Sequence, residues 1–165
     1  MRNLFISLLL LVVCHGVAVR AEVPREQVRV EHAGDLRALA QESRRSGRPI
    51  LIEVAMDYCP YCARVEDEFL EPMLMTDYDR ERVIIRRIEL GTTTGLTDFD
   101  GRPLTGQAFA DRYGVTLVPT VLLLDAHGRE VAERLEGLLT PDFYGGYLEA
   151  AIDDARGRIR AEPPG

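Results

Sequence analysis

Residues 50–55, Ile-Leu-Ile-Glu-Val-Ala, are apolar at every position except Glu53. A run this short and without alternation, preceded by Gly47 and Pro49, is the pattern of a strand covered on both faces. Such a strand requires helices on each side of its sheet. Directly after it come Cys59-Pro60-Tyr61-Cys62, and then Cys62, Val65, Phe69 and Met73 recur at helical spacing. Pro72 is expected to kink or end that helix. The chain is therefore committed early to a buried strand that runs into an amphipathic helix, with two cysteines at the junction.

The remaining periodicities extend this pattern. Leu36, Leu39, Ala40 and Ser43 predict a helix over 33–46, stopped by Gly47 and Pro49. A second apolar strand is expected over 83–90, and the Gly, Thr and Asp of 91–106 read as a loop or insertion. A short helix over 107–113 closes at Gly114. Residues 116–124 form a third strand candidate, interrupted by Pro119; a turn over 125–128 and a returning strand over 130–136 follow. Thr140-Pro141 starts a last helix, whose apolar face carries Phe143, Tyr147, Leu148, Ala151, Ile152, Ala155 and Ile159. The tail over 161–165 is expected to fray. This order predicts an α/β fold: a central mixed sheet, parallel early and antiparallel late, with helices on both faces. The 165 residues suit one domain, and no internal repeat is visible.

The N-terminus is a separate segment. Arg2 precedes an apolar run over 4–13, too short to span a bilayer comfortably, and Val19-Arg20-Ala21 offers a cleavage site after Ala21. Residues 1–21 read as a secretory signal, with 22–165 as the mature chain. An uncleaved anchor is one alternative. A lipid attachment at Cys14 is another, although Val13 fits a lipobox badly. Cleavage removes Cys14 and leaves two of the three cysteines, in an exported and disulfide-permissive setting. The net charge of −7 argues against a nucleic-acid partner.

Cys59 and Cys62 then carry the chemistry. A cysteine at the start of a helix meets unpaired backbone N–H groups and the positive end of the dipole, which lowers its pKa. A second sulfur one turn along is placed to resolve a mixed disulfide. Two other uses compete. A structural disulfide closing so small a loop would constrain the unfolded chain little. Zinc needs two further ligands, and the mature chain offers only His32 and His127, neither beside the pair. No metal or other cofactor is expected beyond the redox-active pair itself. Pro119 inside an apolar strand suggests a cis peptide or an edge position.

Ile52-Glu53-Val54 leading to Tyr58-Cys59-Pro60-Tyr61-Cys62, then Val118-Pro119-Thr120 and the turn from Asp125 to Gly128, resembles the thioredoxin superfamily over roughly residues 31–156. Within it, the segment from Thr97 to Gly101 makes the chain most similar to exported proteins of the SoxW type. The C-terminal domain of DsbD-type reductases is the next likeness. The resemblance implies a thioredoxin fold and a cis peptide before Pro119 that faces the cysteines. Val118 would offer its backbone to an extended substrate, and Tyr58, Pro60 and Tyr61 would flank it. Glu53, six residues before the first cysteine, would relay a proton to Cys62, and a buried carboxyl there should have a raised pKa. A solvent-facing Glu53 at a strand edge is the alternative.

Departures from the family pattern leave the direction of electron flow open. Tyr58 stands where thioredoxins have Trp, Cys-Pro-Tyr-Cys is the glutaredoxin motif, and a charged Asp57 would oppose a thiolate at Cys59. The expectation is an exported, monomeric thiol–disulfide oxidoreductase that reduces protein disulfides and draws electrons from a membrane donor of DsbD type. An oxidase or a glutaredoxin is the rival within that class. A redox-inert binding module with a structural disulfide is the rival outside it.

Overall fold

The computed structural model describes residues 28–93 and 95–161. The expected signal segment with Cys14 and Ala21, and the tail beyond residue 161, lie outside those residues. In chain order the elements are α1 (Leu36–Ser46), β1 (Ile50–Ala55), α2 (Pro60–Val65), α3 (Glu71–Leu74), α4 (Asp77–Arg80), β2 (Ile84–Glu89), β3 (Leu96–Thr97), β4 (Pro103–Leu104), α5 (Gly106–Arg112), β5 (Thr120–Leu124), β6 (Leu135–Glu136) and α6 (Pro141–Ala161). A π-helical turn over Glu66–Leu70 joins α2 to α3.

All six residues of β1 are buried, and the sheet order β2-β1-β5-β6 puts it inside. It pairs parallel with β2, from Ile50↔Ile84 to Ala55↔Glu89, and antiparallel with β5, from Ile50↔Leu124 to Val54↔Thr120. Residues 31–33 line the far side of β2, where the Arg87 N–H donates to the Glu31 carbonyl at 2.9 Å. The expected α/β architecture is present, with a mixed sheet and helices on both faces. Ile50, Ile52 and Val54 pack with Leu36 and Leu39 of α1 and Phe109 of α5. Leu51, Val121 and Leu123 pack on the other face with Val65, Leu70 and the α6 residues Leu148 and Ile152. By strand alternation, Glu53 points to this second face.

Local chemistry explains the ends. Asp35 caps α1 by accepting from the Arg37 and Ala38 N–H groups, and Gly47 closes it with φ 68°. Arg82, almost fully buried, ties α4 to α6 through Glu149 at 2.6 Å and Asp153 at 2.7 Å.

Several boundaries differ from the sequence expectations. The third strand starts at Thr120 because Pro119 has no N–H to give a ladder. The returning strand shrinks to Leu135–Glu136, with one isolated bridge between Leu124 and Glu130. The expected loop over 91–106 contains the β3–β4 pair, braced where Arg112 donates to Asp98 at 2.7 Å. Pro72 does not break the helix at once. The wide turn ahead of it, with the Glu71 N–H donating to the Glu66 carbonyl, absorbs the missing donor and the ring's clash with the preceding turn, and α3 then ends at Leu74. The extra residue in that turn also shifts the core position, so Leu70 is fully buried while Phe69 is only partly covered.

No helix among the described residues is long and apolar enough to cross a membrane.

Gly106 seats α5 against the site end of β2. A Cβ there would lie 1.9 Å from the Glu89 carbonyl oxygen, whereas a Cβ at the exposed helical Gly146 meets nothing within 4 Å. Gly106→Ala should therefore cost at least about 2 kcal/mol, and Gly146→Ala in α6 should add about 0.5–1 kcal/mol. Denaturant unfolding of the two variants checks the opposite signs.

Candidate functional site

Cys59 is the N-cap of α2, and its sulfur accepts the Cys62 N–H at 3.1 Å. Pro60 takes the first helical position, where its missing N–H costs nothing. The two cysteines form a disulfide with their Cα atoms 5.3 Å apart. The pair is asymmetric: Cys59 is half-buried, whereas Cys62 lies on the inner face of the helix and is buried. Tyr58 enters this turn with φ 57°, and its side chain is fully exposed. Pro60 and Tyr61 are exposed as well. A cleft of about 490 Å³ runs past the pair, lined by Asp57, Cys59, Cys62, Glu66 and Arg87 among others.

Glu53 is 0 % exposed in the middle of β1, which removes the solvent-facing alternative. Neither of its carboxylate oxygens has a hydrogen-bond partner among the described residues. Its pKa is pushed up to about 8, chiefly by burial and next by the charge of Glu66, with Arg87 pulling the other way. The Glu66 side chain comes close enough to add a raising contact, although its geometry falls short of a hydrogen bond. Arg87 is the sheet neighbour of Glu53 on β2, and its guanidinium lies 3.2 Å from the Glu66 carboxylate. Glu66 sits one helical turn beyond Cys62 and is itself buried. Glu66 and Arg87 thus border both Glu53 and the cleft that Cys62 lines. Asp57 lines the same cleft beside Cys59 and engages Glu89, whose carboxyl is raised first by that hydrogen bond and then by burial.

Sequence reasoning did not single out Glu66, Arg87 or Glu89. Arg87 carried the same signal as Glu53, a charge inside an apolar strand. Glu66 carried the i, i+4 spacing from Cys62. Glu89 is a charge in the same expected strand, but its meeting with Asp57 depends on the β1–β2 register and had no signal in the sequence.

The peptide bond between Val118 and Pro119 is cis. The register that pairs Thr120 with Val54 puts Pro119 beside the end of β1, at the end of the sheet that leads to Cys59. Pro119 is buried and Val118 half-buried. The Gly137 N–H donates to the Pro119 carbonyl at 2.7 Å, which brings the segment holding Leu139, 82 % exposed, alongside. Leu117 packs next to Gly137 and is also exposed. Neither leucine was singled out from sequence, since only the fold brings them to this edge. A disulfide with one partly accessible and one buried sulfur at the head of a helix, on a sheet that also holds a buried acid, can carry out thiol–disulfide exchange.

Comparison with known proteins bears on the fold. The family described as Thioredoxin-like domain matches residues 36–152. Spinach chloroplast thioredoxin f (short form) superposes with a TM-score of 0.52 at 18 % identity, covering 78 % of this chain and 95 % of that one. The reduced periplasmic thioredoxin SoxS of Paracoccus pantotrophus is 27 % identical, covering 66 % and 99 %, with a TM-score of 0.43. The oxidised DsbD C-terminal domain of Neisseria meningitidis is 20 % identical, covering 73 % and 98 %, with a TM-score of 0.46. No curated protein gives a significant match.

The raised pKa of Glu53 has a consequence for stability. Between pH 4.5 and about 8 the folded protein keeps a proton that the unfolded chain has released, so stability falls as pH rises through that window. Glu53→Gln, neutral at all pH, should be close to the parent near pH 4 and about 2–4 kcal/mol more stable at pH 9. Urea titrations at both pH values check this; equal stabilities at pH 9 would show that Glu53 is not held neutral by burial.

Proposed function

Because the chain belongs to the thioredoxin-like domain family, we propose that it is an exported thiol–disulfide oxidoreductase that reduces protein disulfides. The observation that carries this reading is the asymmetry of the Cys59–Cys62 pair, one sulfur reachable at the head of a helix and the other buried behind it.

In the reducing direction, the Cys59 thiolate attacks one sulfur of a substrate disulfide. The substrate S–S bond breaks, a Cys59–substrate mixed disulfide forms, and the departing substrate sulfur takes a proton. Glu53 first releases its own proton to solvent, as a group with a pKa of about 8 does in part near neutral pH. The Cys62 thiol then gives its proton to that carboxylate, and the Cys62 thiolate attacks the Cys59 sulfur. The second substrate sulfur leaves, the Cys59–Cys62 disulfide closes, and two electrons have passed to the substrate. A carboxyl with a pKa near 8 exchanges protons readily with a thiol of similar pKa. Val118, Pro119, Tyr58, Pro60 and Tyr61 form the docking rim, extended by Leu117 and Leu139.

The finer assignment rests on sequence likeness. Residues 97–101 favour a SoxW-type protein, and the reducing direction calls for a membrane electron donor of DsbD type. Residues 1–21 serve as a cleaved leader, residues 22–165 as one monomeric domain in the periplasm, and no resident cofactor is needed.

Insulin reduction by the purified mature protein tests the activity. Turnover lost in Cys59→Ser supports it; no turnover, with a disulfide that resists reduction until the protein unfolds, leaves the redox-inert module. Equilibration in thiol buffers gives the direction, with a potential of about −270 mV marking a reductant and about −120 mV an oxidant. A glutathione adduct formed selectively at Cys59 would mark a glutaredoxin-like enzyme. N-terminal sequencing of protein recovered from the periplasm should begin at Glu22.

A further inference from the structure

Two buried side chains on facing elements have polar atoms without hydrogen-bond partners. Glu53 is 0 % exposed and Tyr144 3 %, and neither the Glu53 carboxylate oxygens nor the Tyr144 hydroxyl has a partner among the described residues. Buried groups left in that condition are uncommon and costly. Tyr144 stands on α6, in the core that contains Leu51 and Val121. Those two residues are the strand neighbour of Glu53 on its own face and its cross-strand partner on β5. The Tyr144 ring is held by Phe69, with centroids 4.8 Å apart.

We propose that Tyr144 is a positioning residue for Glu53: its hydroxyl donates, across one buried water, to the Glu53 carboxylate when that acid is ionised. A water in that place has the two to four polar partners it needs, in the phenol and the two carboxylate oxygens. A bridge of this kind is nearly as favourable as a direct hydrogen bond. Burial, and next the negative charge of Glu53, hold Tyr144 above the ordinary tyrosine range, so it stays a donor throughout the titration of the acid. Each element packed against Glu53 contributes a different group. The π-helical turn brings Glu66, which opposes ionisation, and β2 brings Arg87, which favours it. β5 brings the apolar Val121, and α2 brings Cys62 to the cleft shared with Glu66 and Arg87. Arg87 directs its Nη1 to Glu66 at 3.2 Å while its buried Nε has no partner among the described residues, so Arg87 is the charged donor on the β2 side and Tyr144 the neutral donor on the α6 side. The bridge favours the anion that must form when Glu53 gives up its proton, and without it the acid would titrate higher. The use of this for Cys62 rests on the exchange reaction proposed above; the pairing itself does not.

The test is the titration of Glu53 in the oxidised protein, read from its side-chain carboxyl carbon by NMR. Tyr144→Phe keeps the ring and removes only the hydroxyl, so it should raise the Glu53 pKa by about one unit, and the pH profile of disulfide reduction should move up with it. An unchanged Glu53 titration in a folded Tyr144→Phe protein overturns the proposal. In a Glu53→Gln background, Tyr144→Phe should leave the pH dependence of stability unaltered; a change there also overturns it. A third readout needs no variant. The Tyr144 hydroxyl proton should give a slowly exchanging resonance that shifts as Glu53 ionises, and a resonance blind to that ionisation overturns the bridge. Normal turnover without these shifts defeats this inference alone, whereas the shifts without turnover defeat only the exchange reaction.

Discussion

The arrangement depends on one costly placement, a carboxyl in the driest strand of the sheet. An ionised acid buried without a partner is among the most unfavourable groups a protein can hold, and the usual response is to keep it neutral. Glu53 does so up to about pH 8. Everything around it can be understood as managing that position. Arg87 sits beside it across the β1–β2 ladder, Glu66 balances Arg87, and α6 closes over the top with an aromatic ring rather than an aliphatic one. The cysteine pair is accessible from outside, but its second sulfur turns inward towards this cluster.

The two faces of the sheet divide the work. The face covered by α1 and α5 is apolar and gives β1 a fixed position. The other face carries the acid, the base of the cysteine helix and α6. Because successive residues of β1 serve opposite faces, one strand both anchors the sheet and presents the acid, and a one-residue slip would exchange the two. Buried Arg82 ties the segment after α4 to α6, the helix that covers this face, through Glu149 and Asp153.

Features set by neighbours in sequence were legible before the structure. The ILIEVA run, the cysteine spacing, the Thr140-Pro141 helix start and the anomaly of Pro119 each rest on short-range rules, and each led to the element or position observed. Features set by pairing were not. The dipeptide strands β3, β4 and β6 carry too few residues for any period to show. The start of β5 at Thr120 depends on a donor missing one residue earlier. Asp57 and Glu89, or Glu53 and Tyr144, meet only because sheet register and helix packing bring them together. Both Glu53 and Arg87 were visible as charges in apolar strands, yet only the one aligned with a known motif was singled out.

The π-helical turn over Glu66–Leu70 acts as an insertion hidden inside a helix. It lengthens the chain by one residue without making a loop, so nothing on the surface marks it. A comparison that treats helices as free of gaps would stay in step through Cys62 and Val65. It would then fall one place behind, assigning Phe69 to the core site that Leu70 fills. The residues that do chemistry and those that anchor the helix lie on opposite sides of that offset. Each half can accept change in its own register, and a deletion of one residue here would close the wide turn to an ordinary α-helical one while leaving the cysteines and the anchoring half on their faces.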